Sequence, residues 1–242
     1  MKTTTALLAG LREYARSRVL VALLLFLPVY MIGVFLAVVP DSTVSLDVVG
    51  AGTVQATMVE VYATMLTPMT AALVGGIAGL FVMEDARDPD RRLVVAGFRP
   101  VEVVLARFGM LAVAGVVVTA VSVAVAAWSF VPEQVGWFAA ATVLAALTYG
   151  AVGTLLGLAV GRLAGVYALL AGAMLDLFLY QNPMTAEDAA LAPYLPGHYV
   201  VELAVSAGFT TSVDGGTLAG ALGYVAVVLA LSTAAFYLSA TR

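Results

Sequence analysis

The chain has 242 residues, of which 62% are hydrophobic and only 11% charged, with a formal net charge of -4 and a mean hydropathy of +1.04. A soluble globule of that size cannot hide so much apolar surface, so the composition excludes a soluble domain and predicts an integral membrane protein. The absence of cysteine excludes disulfides and thiolate metal sites.

The polar start MKTTTALLAGLREYARSR precedes an apolar run too long for a signal-peptide core and lacks a cleavage site, so that run is expected to stay in the membrane. Over residues 1–17, Leu7, Leu8, Leu11 and Tyr14 fall on one side of a predicted amphipathic helix and Arg12 and Arg16 on the other. Charge-poor runs of the roughly 20 residues needed to cross the hydrocarbon occur at 19–40, 58–83, 108–131, 135–160, 163–180 and 217–240. Their continuity predicts helices rather than the alternating strands of a barrel. The expected fold is therefore an all-α integral membrane protein, a single transmembrane domain of six spanning helices over 1–242. The stretch LAPYLPGHYVVELAVSAGF (191–209) is interrupted by two prolines, a Gly-His pair and Glu202. It predicts a short helix from Gly197 to Ala207, lying in or dipping into the outer interface and stopped by Gly208.

Every basic residue falls in alternate connections. Lys2, Arg12, Arg16 and Arg18 precede the first run; Arg87, Arg91, Arg92, Arg99 and Arg107 separate the second from the third; Arg162 separates the fourth from the fifth; Arg242 follows the sixth. The other connections carry acids: Asp41 and Asp47, then Glu133, then Glu187, Asp188, Glu202 and Asp214. The positive-inside rule then predicts a multi-pass protein of the cell membrane with both termini cytoplasmic.

Between the second and third runs lies a charged island, MEDARDPDRRLVVAGFRPVEVVLARF (83–108). Asp88 before Pro89 has the form of an N-cap followed by proline at the first helical position. PDRRLVVAG then predicts a separate helix of about two turns, closed by Gly97. Pro100 with Glu102 opens a second helix leading into the third run. Fixing topology and meeting anionic lipid headgroups calls for such charges, but it does not call for a separately capped helix.

Inside the runs, Gly75 and Gly79, and Gly153, Gly157 and Gly161, recur at four-residue spacing and predict close helix packing within the chain. Glu60 and Asp176 are ionisable residues near membrane depth, each about one turn from the outer end, and mark an outer vestibule or a structural interfacial role. Pro28 and Pro68 are expected to kink their helices. His198 and Glu202 stand four apart, a spacing at which two ligands can bind zinc, but no third ligand is evident. Metal binding is therefore not expected.

The island resembles the connection between the second and third spans of type-2 ATP-binding-cassette (ABC) permeases. The amphipathic start, six spans, the short GRLAG connection and the broken segment before the last span are family-like as well. The acidic composition with a single lysine resembles that of haloarchaeal proteins. The resemblance implies that the short helix is a coupling helix, docking in a groove of a separate ABC ATPase subunit through Asp88, Asp90, Arg91, Arg92, Leu93 and Val94, and moving the third span as a stiff lever. It implies a secondary docking contact at Glu13 and Arg16, and a second permease copy or a sister permease beside this one in the bilayer. The only lysine is Lys2, so no P-loop is present. No cofactor is expected in this chain; ATP and Mg would be bound by the partner ATPase. Transport as an exporter subunit is thus the leading expectation, with no catalytic residues and no nucleic-acid partner. An ion-coupled carrier using Glu60 and Asp176 and a non-transporting membrane anchor or sensor are the alternatives.

Overall fold

The computed structural model describes residues 18–48, 51–95, 100–184 and 190–240, with side chains throughout except at 19–20, 85–104 and 238–240. Six helical segments are long and apolar enough to cross a membrane, as a multi-pass protein requires, and their bounds follow the apolar runs closely.

The first span begins as α1 (Arg18–Pro28), widens into a π-helical stretch (Val29–Val34) and closes as α2 (Phe35–Val38). Pro28 sits where the helix widens. Its ring crowds the preceding turn and it has no N–H to donate, and the looser turn that follows takes up the mismatch.

A β-hairpin follows, made of β1 (Thr43–Val48) and β2 (Gly52–Thr57). It is an addition to the all-α architecture expected. The strands pair antiparallel, with Val48 opposite Gly52 and Thr43 opposite Thr57. Gly52 holds the left-handed backbone at φ 73° that favours glycine. Leu46, Val48 and Ala56 are buried beneath the hairpin. On the exposed face, Thr53 donates to Asp47 and Gln55 to Ser45 across the strands.

α3 (Met58–Val95) is a single helix of 38 residues. Its start is a capping box: Thr57 N–H donates to Glu60 Oε2 at 2.8 Å, and Glu60 N–H to Thr57 Oγ1 at 3.3 Å. The helix does not restart at Asp88 as the local sequence predicts; it runs through Pro89 to Val95. Proline in a helix interior costs about 3 kcal/mol and frees one carbonyl, but beyond the apolar stretch water can satisfy that carbonyl. The charged segment is therefore continuous with the second span rather than the third. Residues 96–99, with Gly97, lie outside the described residues, as does the predicted helix over 1–17.

α4 (Pro100–Ala126), α5 (Val135–Ala159) and α6 (Arg162–Ala173) complete three further spans, the last extended by a second π-helical stretch (Met174–Tyr180). After a short 3-10 turn (Ala192–Tyr194) come α7 (His198–Phe209) and α8 (Gly215–Ala240). Asp214 caps α8, accepting from Thr217 N–H at 2.8 Å.

α3 is the central helix: 94% of its apolar window is buried, against 22% for the first and last spans. Its main partner is α5, which runs parallel to it. The seam is built on glycine. A methyl group at Gly79 would lie 2.0 Å from the carbonyl oxygen of Gly150, one at Gly75 2.3 Å from that of Ala146, and one at Gly153 2.0 Å from that of Gly76. The two glycine faces predicted from sequence thus meet each other within the chain, backbone against backbone. Gly161 takes no part, because it lies past the end of α5 and has open space around it.

Candidate functional site

The site grows from the point where the fifth span stops being an α-helix. Gln181 N–H donates to the carbonyl of Asp176, five residues back, at 3.0 Å, closing the wide turns that end the span. Such π turns are frequent at functional sites because they displace one residue from the regular helix face. Here the displaced region carries Asp176, only 4% exposed.

Three donors converge on this carboxylate. Tyr149 O–H, from α5, donates to Oδ2. Gly197 N–H donates to the same oxygen at 2.7 Å, and Gln181 Nε2 donates to Oδ1 at 3.3 Å. Tyr149 lies 14 residues along α5 from its first residue, about 21 Å at 1.5 Å per residue, in a helix about 37 Å long. Asp176 therefore hangs near mid-depth in the bundle, deeper than the one turn from the end that its sequence position suggests.

Gly197 is the residue before α7, so Asp176 supplies from another helix the acceptor that an exposed N-terminal N–H requires. α7 then climbs for 12 residues, about 18 Å. Its far end meets the turn between α4 and α5, where Glu133 N–H donates to Gly208 O at 3.1 Å and Gln134 N–H to Ala207 O at 2.9 Å. Gln134 Nε2 adds a bond to Thr210 O at 2.9 Å. α7 is a half-helix packed inside the bundle, with Val200, Val201, Leu203, Ala204, Val205, Ser206, Ala207 and Gly208 buried. Of the two placements expected, lying in the outer interface or dipping into it, this burial rules out the first. The polar residues that suggested a surface position pair with one another instead. Gly208 does not stop the helix in a left-handed turn; among the described residues only Gly52 has positive φ. Its missing side chain lets Thr64 approach, with Oγ1 3.2 Å from where a methyl group would sit. Gly197 likewise has no room for a side chain: a methyl group would lie 2.4 Å from Leu177 Cδ2 and 2.8 Å from Asp176 Oδ1.

The network continues outward. Gln181 Nε2 also donates to Ala192 O at 2.9 Å, and its Oε1 faces His198 Nδ1 at 3.1 Å. His198 Nε2 lies 3.8 Å from Glu202 Oε2. The predicted His198 and Glu202 pair thus belongs to the same cluster as Asp176. A carboxyl group with three donors and a helix N-terminus against it has its hydrogen-bonding capacity met away from water.

Glu60 is not part of this cluster, since its carboxylate caps its own helix. Asp88, Asp90, Arg91, Arg92, Leu93 and Val94 lie on the helical backbone of α3, their side chains outside the described residues; Glu13 and Arg16 lie outside them entirely. At the base of that extension, Arg162 Nε donates to Glu84 Oε2 at 2.9 Å and its guanidinium stacks over Phe81 at 4.6 Å. Tyr149, Gln181 and Gly197 are the site residues that sequence reading missed. A lone tyrosine halfway along an apolar span is the one signal that could have pointed to them.

Compared with known proteins, the chain matches no protein-family model and no curated protein.

Proposed function

We propose that the chain is the membrane-spanning permease subunit of an ABC exporter, working by alternating access and driven by a separate ATPase subunit that binds ATP and Mg. The observation that carries this reading is the length of α3. Its apolar stretch covers Met58–Glu84, and the helix continues to Val95, about 16 Å further. That extension bears Asp85, Arg87, Asp88, Asp90, Arg91 and Arg92. A membrane anchor needs no such rod. A transport subunit pushed by a partner does, because displacement of the charged foot carries the central helix with it. In this reading the foot and both termini face the cytoplasm of the cell, Glu13 and Arg16 add a second contact, and a second permease copy or sister permease completes the assembly.

The test is co-purification from native membranes under mild detergent, with an assay for bound ATPase activity. The chain is expected to retain an ATPase subunit, and Arg91→Glu with Arg92→Glu is expected to lose it. Undiminished association in the double variant would remove the docking assignment. The mid-depth carboxylate against a half-helix N-terminus favours a second reading, an ion-coupled carrier. Transport driven by an ion gradient without nucleotide would establish it.

A further inference from the structure

The turn between α4 and α5, which holds the far end of α7, is flanked by both tryptophans of the chain, Trp128 and Trp137. They stand at the facing edges of two apolar windows, Leu105–Ala126 and Val135–Ala159, one just past the end of α4 and the other in the first turn of α5. Trp128 is 82% exposed and Trp137 41%, with Val131 and Val135 exposed between them. Their exposure is not looseness. Phe130 points the opposite way, edge-on to Phe138 at 6.4 Å and against Phe209 at 5.5 Å, and the N–H groups of Ser129 and Phe130 both donate to Ala126 O. Together with the bonds from Glu133 and Gln134 to α7, these contacts fix the inner side of the turn while its other side presents apolar rings.

An indole joins a broad apolar ring to a single N–H donor, and among the described residues neither tryptophan N–H has an acceptor. Bulk water would satisfy the N–H but not the ring, and hydrocarbon would do the reverse. The glycerol and headgroup zone of a bilayer serves both, which is why tryptophan collects there. Charge narrows the partner further. Between Arg107 and Arg162 the only charged residue is Glu133, so no basic side chain draws anionic headgroups to the turn, and the attraction is apolar. We infer that the α4–α5 turn is seated in the headgroup interface at the hairpin side of the bundle through Trp128 and Trp137, and that uncharged or zwitterionic lipid, rather than another protein, covers this surface. The end of α7 bonded to the turn then lies at the same level, and its other end, capped by Asp176, lies about 18 Å away along the helix. This inference does not depend on an ATPase partner.

Because the chain has no other tryptophan, its intrinsic fluorescence reports this turn alone, and Trp137→Phe and Trp128→Phe isolate each ring. The parent chain and both variants are reconstituted in phosphatidylcholine vesicles whose acyl chains carry bromine either near the glycerol or near the methyl end, with iodide added as a quencher in the water. Trp128 emission is expected to be quenched about twofold more by the shallow bromine than by the deep one, weakly by iodide, and to the same extent when anionic lipid is mixed in. Strong quenching by iodide without quenching by bromine would place the turn in water and overturn the inference. So would stronger quenching by the deep bromine, which would place it in hydrocarbon. Insensitivity to every quencher would mean that protein, a second copy of the chain included, covers the rings, and lipid would not be the partner. Shallow quenching that appears only with anionic lipid would overturn the apolar basis of the contact.

Discussion

The seam between α3 and α5 makes the most direct prediction, because the same substitution has opposite signs at positions that differ only in what surrounds them. Gly79→Ala places a methyl group 2.0 Å from the Gly150 carbonyl oxygen and 2.9 Å from its carbon. Ordinary contact begins at 3.4 Å, so the helices must part by about 1.4 Å locally, and both sides of the contact are backbone that cannot change rotamer. Overpacking against a rigid neighbour costs about 3 kcal/mol, while alanine in place of glycine inside a helix returns about 1 kcal/mol. The net expectation is a loss of about 2 kcal/mol. Gly223→Ala, in α8, meets nothing within 4 Å and should gain up to about 1 kcal/mol from the same helix preference. At about 2–4 °C per kcal/mol for a chain of this length, the two variants should melt on the order of 6–12 °C apart in detergent, followed by tryptophan fluorescence. Equal melting temperatures, or a more stable Gly79→Ala, would refute the backbone-to-backbone seam.

Tyr149→Phe should cost about 1–3 kcal/mol, the penalty for leaving the buried Asp176 carboxyl without that partner, and Asp176→Ala more, since it strands three donors; denaturant titration of both against the parent chain checks the order. Glu60→Ala should cost only about 1 kcal/mol, as a cap does, with Glu60→Gln retaining most of the stability; a loss comparable to Asp176→Ala would mean that Glu60 serves more than its helix end. Gly197→Ala should destabilise by about 1–3 kcal/mol, because the added carbon collides with Leu177 and Asp176; the same denaturant titration measures it. Glu84→Gln should change stability by less than about 1 kcal/mol and weaken in importance with added salt, as its ion pair with Arg162 is partly solvated.

The spans were legible because a run of about 20 apolar residues has few alternative fates. Their ends were less so: the last span begins at Gly215 rather than Thr217 because Asp214 reaches forward to cap it. The hairpin was passed over because its signal is alternation across six-residue strands, TVSLDV and GTVQAT, which a search for long apolar windows averages away. At Asp88 a strong local start signal competes with a helix already under way, and continuing it spares a new nucleus. Asp176 was legible as an ionisable residue within a span, but its depth was not. Tyr149 and Gly197 lie 27 and 21 residues away in the chain, and only the packing of α7 between its neighbours brings them together. The placement of α7 shows the same limit, because Glu202 and His198 read as surface residues until their partners are known.

The closest backbone contacts of α3 lie at Gly75 and Gly79, and they give the rod a fulcrum. From Gly79 the arm toward Val95 is 16 residues, about 24 Å, and the arm toward Met58 is 21 residues, about 31 Å. A sideways push on the shorter arm therefore emerges at the other tip reversed in sense and enlarged by about a third. That tip is Met58, whose N–H donates to Ser42 O at the foot of the hairpin at 2.8 Å, so a tilt of the rod would be handed directly to the sheet.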